Sequence, residues 1–334
     1  MKLATFARPD GVARLGAVTD QGLIDLRAAA ELLGSPAAEV DRAVLGDLGA
    51  FFAGGSAARQ LAEDVVGAVL AAREAGRLAG SAAHLVIFPP EEVQLLAPMR
   101  PRRIRDYLTY QQHATGAGVA VPPAFSAMPI CYQCNVDSVI GPDEVIPWPA
   151  YTDQLDYELE IGFFVGTGGR DLSPERAAER IGGVTLFNDV SARDIQFFEM
   201  SMGIGPSKGK DFCNVLGPVV VTMDEIDEYA IELTARVNGA VWSHGTTANR
   251  QYSFAEVLAW ASYGEDVYPG EFLAVGTVGG GCGAELDRWI QPGDVVELEA
   301  SGIGVLRNQV GQPARQTAGL PSYQGAPRFQ VPGK

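Results

Sequence analysis

In the run Leu155-Asp156-Tyr157-Glu158-Leu159-Glu160-Ile161-Gly162-Phe163-Phe164, acidic side chains alternate with apolar ones. Side chains of a strand point alternately to its two faces, so Asp156, Glu158 and Glu160 would share one face. Neighbouring carboxylates repel at that spacing. Solvent can screen them on an exposed edge strand, or a divalent cation can bridge them. Hard cations such as Mg²⁺, Mn²⁺ and Ca²⁺ take oxygen ligands of this kind. These ten residues leave both readings open.

Three further segments carry polar residues that neither a core nor a plain surface needs. In Arg105-Asp106-Tyr107-Leu108-Thr109-Tyr110-Gln111-Gln112-His113-Ala114, a helix would put Asp106 and His113 on one face. In Phe187-Asn188-Asp189-Val190-Ser191-Ala192-Arg193-Asp194-Ile195-Gln196, an apolar strand ends abruptly in Asn-Asp, where a carboxylate can face a site or merely close a turn. Gly203-Ile204-Gly205-Pro206-Ser207-Lys208-Gly209-Lys210-Asp211 has glycines that let backbone approach a ligand. Its spacing differs from a Walker A loop, and no Ser or Thr follows Lys210. Glycine also crowds residues 276–283.

Together these segments resemble the fumarylacetoacetate hydrolase family over roughly residues 98–310. The resemblance rests on Asp106 and His113, the run from Asp156 to Gly166, the run from Asn188 to Gln196, Gly209-Lys210, and Gly276-Thr277. It implies that Glu158, Glu160 and Asp189 ligate a divalent metal, with Asp106 an additional carboxylate. Mg²⁺ is the expected ion, Mn²⁺ or Ca²⁺ the alternatives. Lys210 matches a lysine that contacts substrate oxygen beside the metal, and Arg193 and Gln196 match polar neighbours of the site. His113 matches a histidine that activates water, Glu285 the glutamate that orients it, and Thr277 a threonine that binds a substrate carboxylate. Tyr132 matches a substrate-contacting tyrosine. Leu108 and Met200 depart from the pattern, standing where the fumarylacetoacetate-cleaving branch carries tyrosines. Pro122 stands about where that branch carries an arginine for a distal carboxylate.

The elements that must position these residues read as mostly β. Short strands are expected at Leu3–Ala7, Ala13–Val18 and Leu23–Leu26, separated by turn signals at Pro9-Asp10-Gly11 and Asp20-Gln21-Gly22. Residues 57–77 read as an amphipathic helix. Later strands are expected at Val184–Phe187, Pro218–Thr222, Ile231–Val237, Val295–Leu298 and Gly304–Arg307, with a hairpin at Asn238-Gly239 and a short helix at Phe254–Ser262. Strands and helices do not alternate regularly, which argues against a Rossmann-type sheet. The expected fold class is α+β, mostly β. The resemblance implies a mixed β-sandwich roll of the family's C-terminal type with a small N-terminal α+β domain. Expected divisions are 1–97, 98–312 and an extended tail over 313–334, packed on a partner subunit.

The 334 residues carry a formal net charge of −16, which disfavours nucleic acid and anionic membrane as partners. The N-terminal apolar run is too short for a signal peptide, and Glu63 and Asp64 interrupt the most apolar helical stretch. A cytoplasmic protein is expected. Cys131 and Cys134 form a C-x-x-C pair, but loop and strand follow it and no second close pair completes a zinc site. The four cysteines are read as reduced and non-catalytic.

The resemblance implies a homodimeric hydrolase of the fumarylacetoacetase type. It would cleave a C–C bond in a 1,3-dicarbonyl such as an acylpyruvate through a metal-stabilised enolate. A 2-oxo acid decarboxylase, isomerase or dehydratase of the same family is the alternative. A repurposed member that only binds a ligand is another.

Overall fold

The computed structural model describes residues 1–8, 11–34, 43–118, 120–315 and 327–330. The expected turn residues Pro9 and Asp10 and most of the 313–334 tail lie outside them. A large mixed sheet runs in the order Ile87–Phe88, Gly22–Asp25, Ala13–Thr19, Lys2–Ala7, Asn214–Val221, Ile181–Asp189, Glu160–Val165, Phe272–Ala274, Ile104–Leu108, Ile130–Cys134. A five-stranded sheet runs Ala240–Thr246, Glu232–Val237, Val295–Ala300, Gly304–Pro313, Val145–Trp148. The N-terminal strands join the large sheet directly, with Lys2 opposite Val221 and Leu3 opposite Val220.

Alternation along the strands sorts side chains into two cores. Ile161, Phe163 and Val165 enter the core between the sheets, together with Leu298, Leu306 and Val310 of the smaller one. Phe164 points the other way, to a layer shared with Ala58, Ala62, Val65 and Val69 of the helix Gly55–Glu74. Complete burial of one such aromatic contributes about 1.5–3 kcal/mol. No room exists for a side chain at Gly162, where a Cβ would lie 2.4 Å from Phe272 Cζ and 2.8 Å from Leu273 O.

Several expected boundaries move for local reasons. The third strand stops at Asp25, whose side chain caps the helix Leu26–Leu32 by accepting from Ala28 N at 2.9 Å. The long helix ends at Glu74, before residue 77, because Gly76 takes a left-handed conformation with φ 68°. The helix Phe254–Ser262 has the expected bounds and carries a capping box between Ser253 and Glu256. Asn238 and Gly239 both have positive φ and close the hairpin between Val237 and Ala240.

Two corrections touch the site. The acidic run is not one strand: Leu155–Asp156 pairs with Ser191–Ala192, and a second strand begins at Glu160. Nor is it a solvated edge, since Asp156, Glu158 and Glu160 are all buried. Asp106 lies on the strand Ile104–Leu108, paired on both sides, and the helix carrying His113 starts only at Gln111.

Candidate active site

Sheet register gathers the acids. Asp106 stands opposite Ala274 on one side and Tyr132 on the other. Glu160 opens its strand opposite Phe187, two residues before Asp189 ends the neighbouring one. Glu158 sits in the break between the strands Leu155–Asp156 and Glu160–Val165, where an isolated bridge to Cys282 and a hydrogen bond from its N–H to Asn188 Oδ1 (3.0 Å) hold its backbone. Oxygens of Asp106, Glu158 and Glu160 lie within 4.8 Å of one another. Asp189 adjoins this group through two shared partners. The Tyr132 hydroxyl lies between Asp189 and Asp106, 2.7 Å from Asp106 Oδ2. Lys210 Nζ donates to Glu158 Oε2 and Asp189 Oδ2, both at 2.6 Å.

Burial pushes Asp106 and Glu160 well above the usual carboxylate range, and the neighbouring carboxylates push in the same direction. Burial also raises Asp189, although Lys210 opposes it. Glu158 goes the other way: burial works against its charge, but Lys210 and Arg193 overcome that and hold it low. Burial alone would lower Lys210, yet Asp189 and Glu158 raise it.

Asp106 Oδ1, Glu160 Oε2 and Asp189 Oδ1 are buried with no hydrogen-bond partner. Orphaned buried oxygens cost free energy unless something satisfies them. Two of these atoms belong to the trio Asp106, Glu158 and Glu160, whose converging oxygens are the kind of donor set a hard divalent cation takes, and the third belongs to neighbouring Asp189. The residues present therefore fit the expected metal.

Beside the acids, His113 Nδ1 lies 2.7 Å from Glu285 Oε1, across 172 residues of sequence. His113 Nε2 faces Glu158 Oε1 at 3.8 Å. Glu285 is held in turn by the Gly280 N–H, which donates to Oε2 at 2.8 Å. It rides on the one-turn helix Gly283–Leu286, whose first N–H groups, on Gly283 and Ala284, donate to Asp156 at 2.7 and 3.0 Å. Asp156 also accepts from Arg193 Nε at 2.7 Å, while Arg193 Nη1 reaches Glu158 (2.8 Å) and Gln196 Oε1 (2.9 Å). Asp156 thus ties the segment bearing Glu285 to the helix bearing Arg193 and Gln196.

All eleven candidate residues lie in this one region of the protein. Ten line or adjoin a cavity of about 250 Å³, and Glu285 stands behind His113. The Thr277 hydroxyl donates to Glu160 Oε1 at 2.7 Å, a use that its expected part in carboxylate binding does not include. Sequence reasoning missed Asp156 as the tie beneath the site; its signal was present, an acid in an otherwise buried run. It also missed Gly116, which backs onto Glu285. No sequence spacing foreshadows that contact, because the two residues meet only in the fold. The four cysteines are free, and Cys131 to Cys134 lie on a strand, which excludes a thioredoxin-like motif at a helix start.

A mixed β sandwich that ends in a buried acid cluster, with a lysine and a histidine–glutamate pair beside it, defines a class of enzymes whose acids are able to hold a divalent metal. The chain belongs to the fumarylacetoacetate hydrolase family: residues 102–311 match the model described as fumarylacetoacetate (FAA) hydrolase C-terminal. It is 30% identical over 233 residues to the human mitochondrial oxaloacetate tautomerase FAHD2A, covering 69% of this chain and 73% of that protein. It is 31% identical over 231 residues to the oxaloacetate tautomerase YisK of Bacillus subtilis, covering 66% and 74%. Among solved structures, a fumarylacetoacetate hydrolase from Exiguobacterium antarcticum superposes with a TM-score of 0.66 at 25% identity, over 93% of this chain and 99% of that one. The family is enzymatic. Among the described residues, no helix is long and apolar enough to cross a membrane.

Proposed function

We propose that the protein is a metal-dependent hydrolase that cleaves the C–C bond of an acylpyruvate-type 1,3-dicarbonyl. The observation that carries this reading is the His113–Glu285 pair set beside the acid cluster. Asp106, Glu158, Glu160 and Asp189 would hold the cation, Mg²⁺ first among candidates. When bound, a divalent cation supplies Lewis acidity toward the two oxygens of a 2-oxo acid. Lys210 adds a fixed ammonium on the same side, placed to bind substrate oxygen as negative charge develops there. With Glu285 as acceptor, the imidazole proton rests on Nδ1 and leaves the Nε2 lone pair free. His113 Nε2 can then take a proton from water and later return one to the departing carbon. Such base catalysis typically contributes ~10²–10⁴-fold. Arg193 and Gln196, locked together and to Asp156, orient the substrate, as do Thr277 and Tyr132 through the acids they touch. A homodimer belongs to the same reading, and light scattering checks it.

The tautomerase names of the curated relatives favour a second reading, proton transfer at the carbon beside the keto group without C–C cleavage. The same base would serve. Incubation of the Mg²⁺-loaded protein with acylpyruvates and oxaloacetate separates the two. Hydrolysis predicts loss of enolate absorbance with stoichiometric pyruvate and carboxylic acid from an acylpyruvate, whereas pyruvate and CO₂ from oxaloacetate would mean decarboxylation. Faster keto–enol equilibration of either substrate without new products would replace the hydrolase by a tautomerase.

A further inference from the structure

The cavity has two chemically distinct ends, and sheet and helix geometry separates them. On adjacent strands, Asp106 pairs with Tyr132 and Leu108 with Ile130. Residues two apart share a strand face, so the Leu108–Ile130 pair lies about 7 Å further along the same face than the acid–tyrosine pair. The helix Arg193–Met200 repeats the gradient. Arg193, Gln196 and Met200 follow at spacings of three and four, placing Met200 about 10 Å along the axis from Arg193 on the same side. Phe197 completes this end, and its ring stacks on Phe329 at a centroid distance of 4.0 Å. Leu108 and Phe197 form the wall, while Ile130 and Met200, 41% and 37% exposed, form the rim.

Among the described residues that line the cavity, the basic side chains lie at the other end. They are Lys210, Arg193 and His113, and each comes within 4 Å of a Glu158 oxygen: 2.6, 2.8 and 3.8 Å. A ligand anchored there by its 2-oxo acid group would extend its remaining carbons between Leu108 and Phe197. A carboxylate placed at that depth would leave water for an apolar wall with no cation to pair it.

We propose that the cavity selects 2-oxo acids whose distal end is an unbranched apolar chain and discriminates against those ending in a second carboxylate. This rests on the reading that a 2-oxo acid occupies the metal end. Leu108, Ile130, Phe197 and Met200 are the specificity-determining residues.

Calorimetric binding to the Mg²⁺-loaded protein tests this without relying on turnover. The ligands are 2-oxobutanoate, 2-oxopentanoate, 2-oxohexanoate and 2-oxoadipate, the last two equal in carbon number, with oxalate as the reference for the metal end. Affinity should rise up to about fourfold per added methylene, and 2-oxoadipate should bind at least tenfold more weakly than 2-oxohexanoate. Met200→Lys and, separately, Ile130→Lys should shrink or invert that ratio while oxalate affinity stays within about twofold. Both positions are partly exposed, so neither change disturbs a packed core. If 2-oxoadipate bound the parent as tightly as 2-oxohexanoate while oxalate bound normally, the apolar-end selectivity would be overturned and the metal-end reading kept. If no 2-oxo acid and no oxalate bound, the function proposed above would fall and this inference with it.

Discussion

Gly116 and Glu285 meet with no room for a methyl group: a Cβ on Gly116 would lie 2.2 Å from Glu285 Oε2 and 3.0 Å from its Cδ. The carboxylate that holds His113 is therefore seated directly against bare backbone of the helix Gln111–Gly116. Gly116→Ala should displace Glu285 and free the imidazole to rotate. In a helix the change favours stability by up to about 1 kcal/mol, so propensity cannot explain a loss. We expect kcat to fall by about tenfold to 10²-fold, as for a misplaced catalytic group, with metal content unchanged and an altered pH–rate profile. Parental kcat and pH profile in this variant would show that the contact does not position the base.

His113→Ala should lower kcat by about 10²-fold or more with the metal still bound. Steady-state rates and metal analysis on the same preparation check this. An unchanged kcat would mean that no histidine base takes part.

Glu160→Gln should remove metal and activity together while circular dichroism stays that of the parent. Glu160 has one oxygen committed to Thr277 and the other without a partner, so an amide keeps the shape and loses the charge. Equal metal content in the variant would exclude Glu160 as a ligand.

Lys210→Met leaves Glu158 and Asp189 buried without their shared cation. Breaking one partner out of a buried ion pair typically costs about 3–5 kcal/mol. The metal-free variant should melt well below the metal-free parent, and Mg²⁺ should narrow the gap. With Mg²⁺ bound, oxalate should still bind more weakly than to the parent. Equal oxalate affinity would rule out Lys210 as a substrate contact.

Ser253→Ala serves as a control away from the chemistry. Losing the cap of the helix Phe254–Ser262 should cost about 1 kcal/mol, read as a lower denaturant midpoint, with kcat/KM unchanged. An unchanged midpoint would show that the capping box carries no weight in this fold.

The outer strands and the Asn238-Gly239 hairpin were legible because side-chain alternation and turn residues are local signals. The acids stood out for the complementary reason: Glu158 and Glu160 are charges in a run that is otherwise apolar. Asp106 was misread because the segment from Arg105 to Ala114 carries no clean period. Pairing with Phe272–Ala274 on one side and Ile130–Cys134 on the other makes its first half a strand. The Glu285 contact to His113 came only through family resemblance, since no local rule spans 172 residues. Asp156 was read with the metal face, yet it turns toward the N–H groups of Gly283 and Ala284, because the strand breaks between Asp156 and Glu160.

The bridge of Lys210 between Glu158 and Asp189 bears on the order of events in the life of the protein. An acid cluster without internal counter-charge has to wait for its cation before the surrounding chain can close over it. Here the chain brings positive charges of its own into the cluster, Lys210 between Glu158 and Asp189 and Arg193 on Glu158, so the proposed cation would not be needed for the chain to close over its acids. On the proposed function, metallation would then be a late step. Scarcity of the ion would then silence the proposed activity while leaving the acids paired with Lys210 and Arg193, and a returning supply would act on copies already folded.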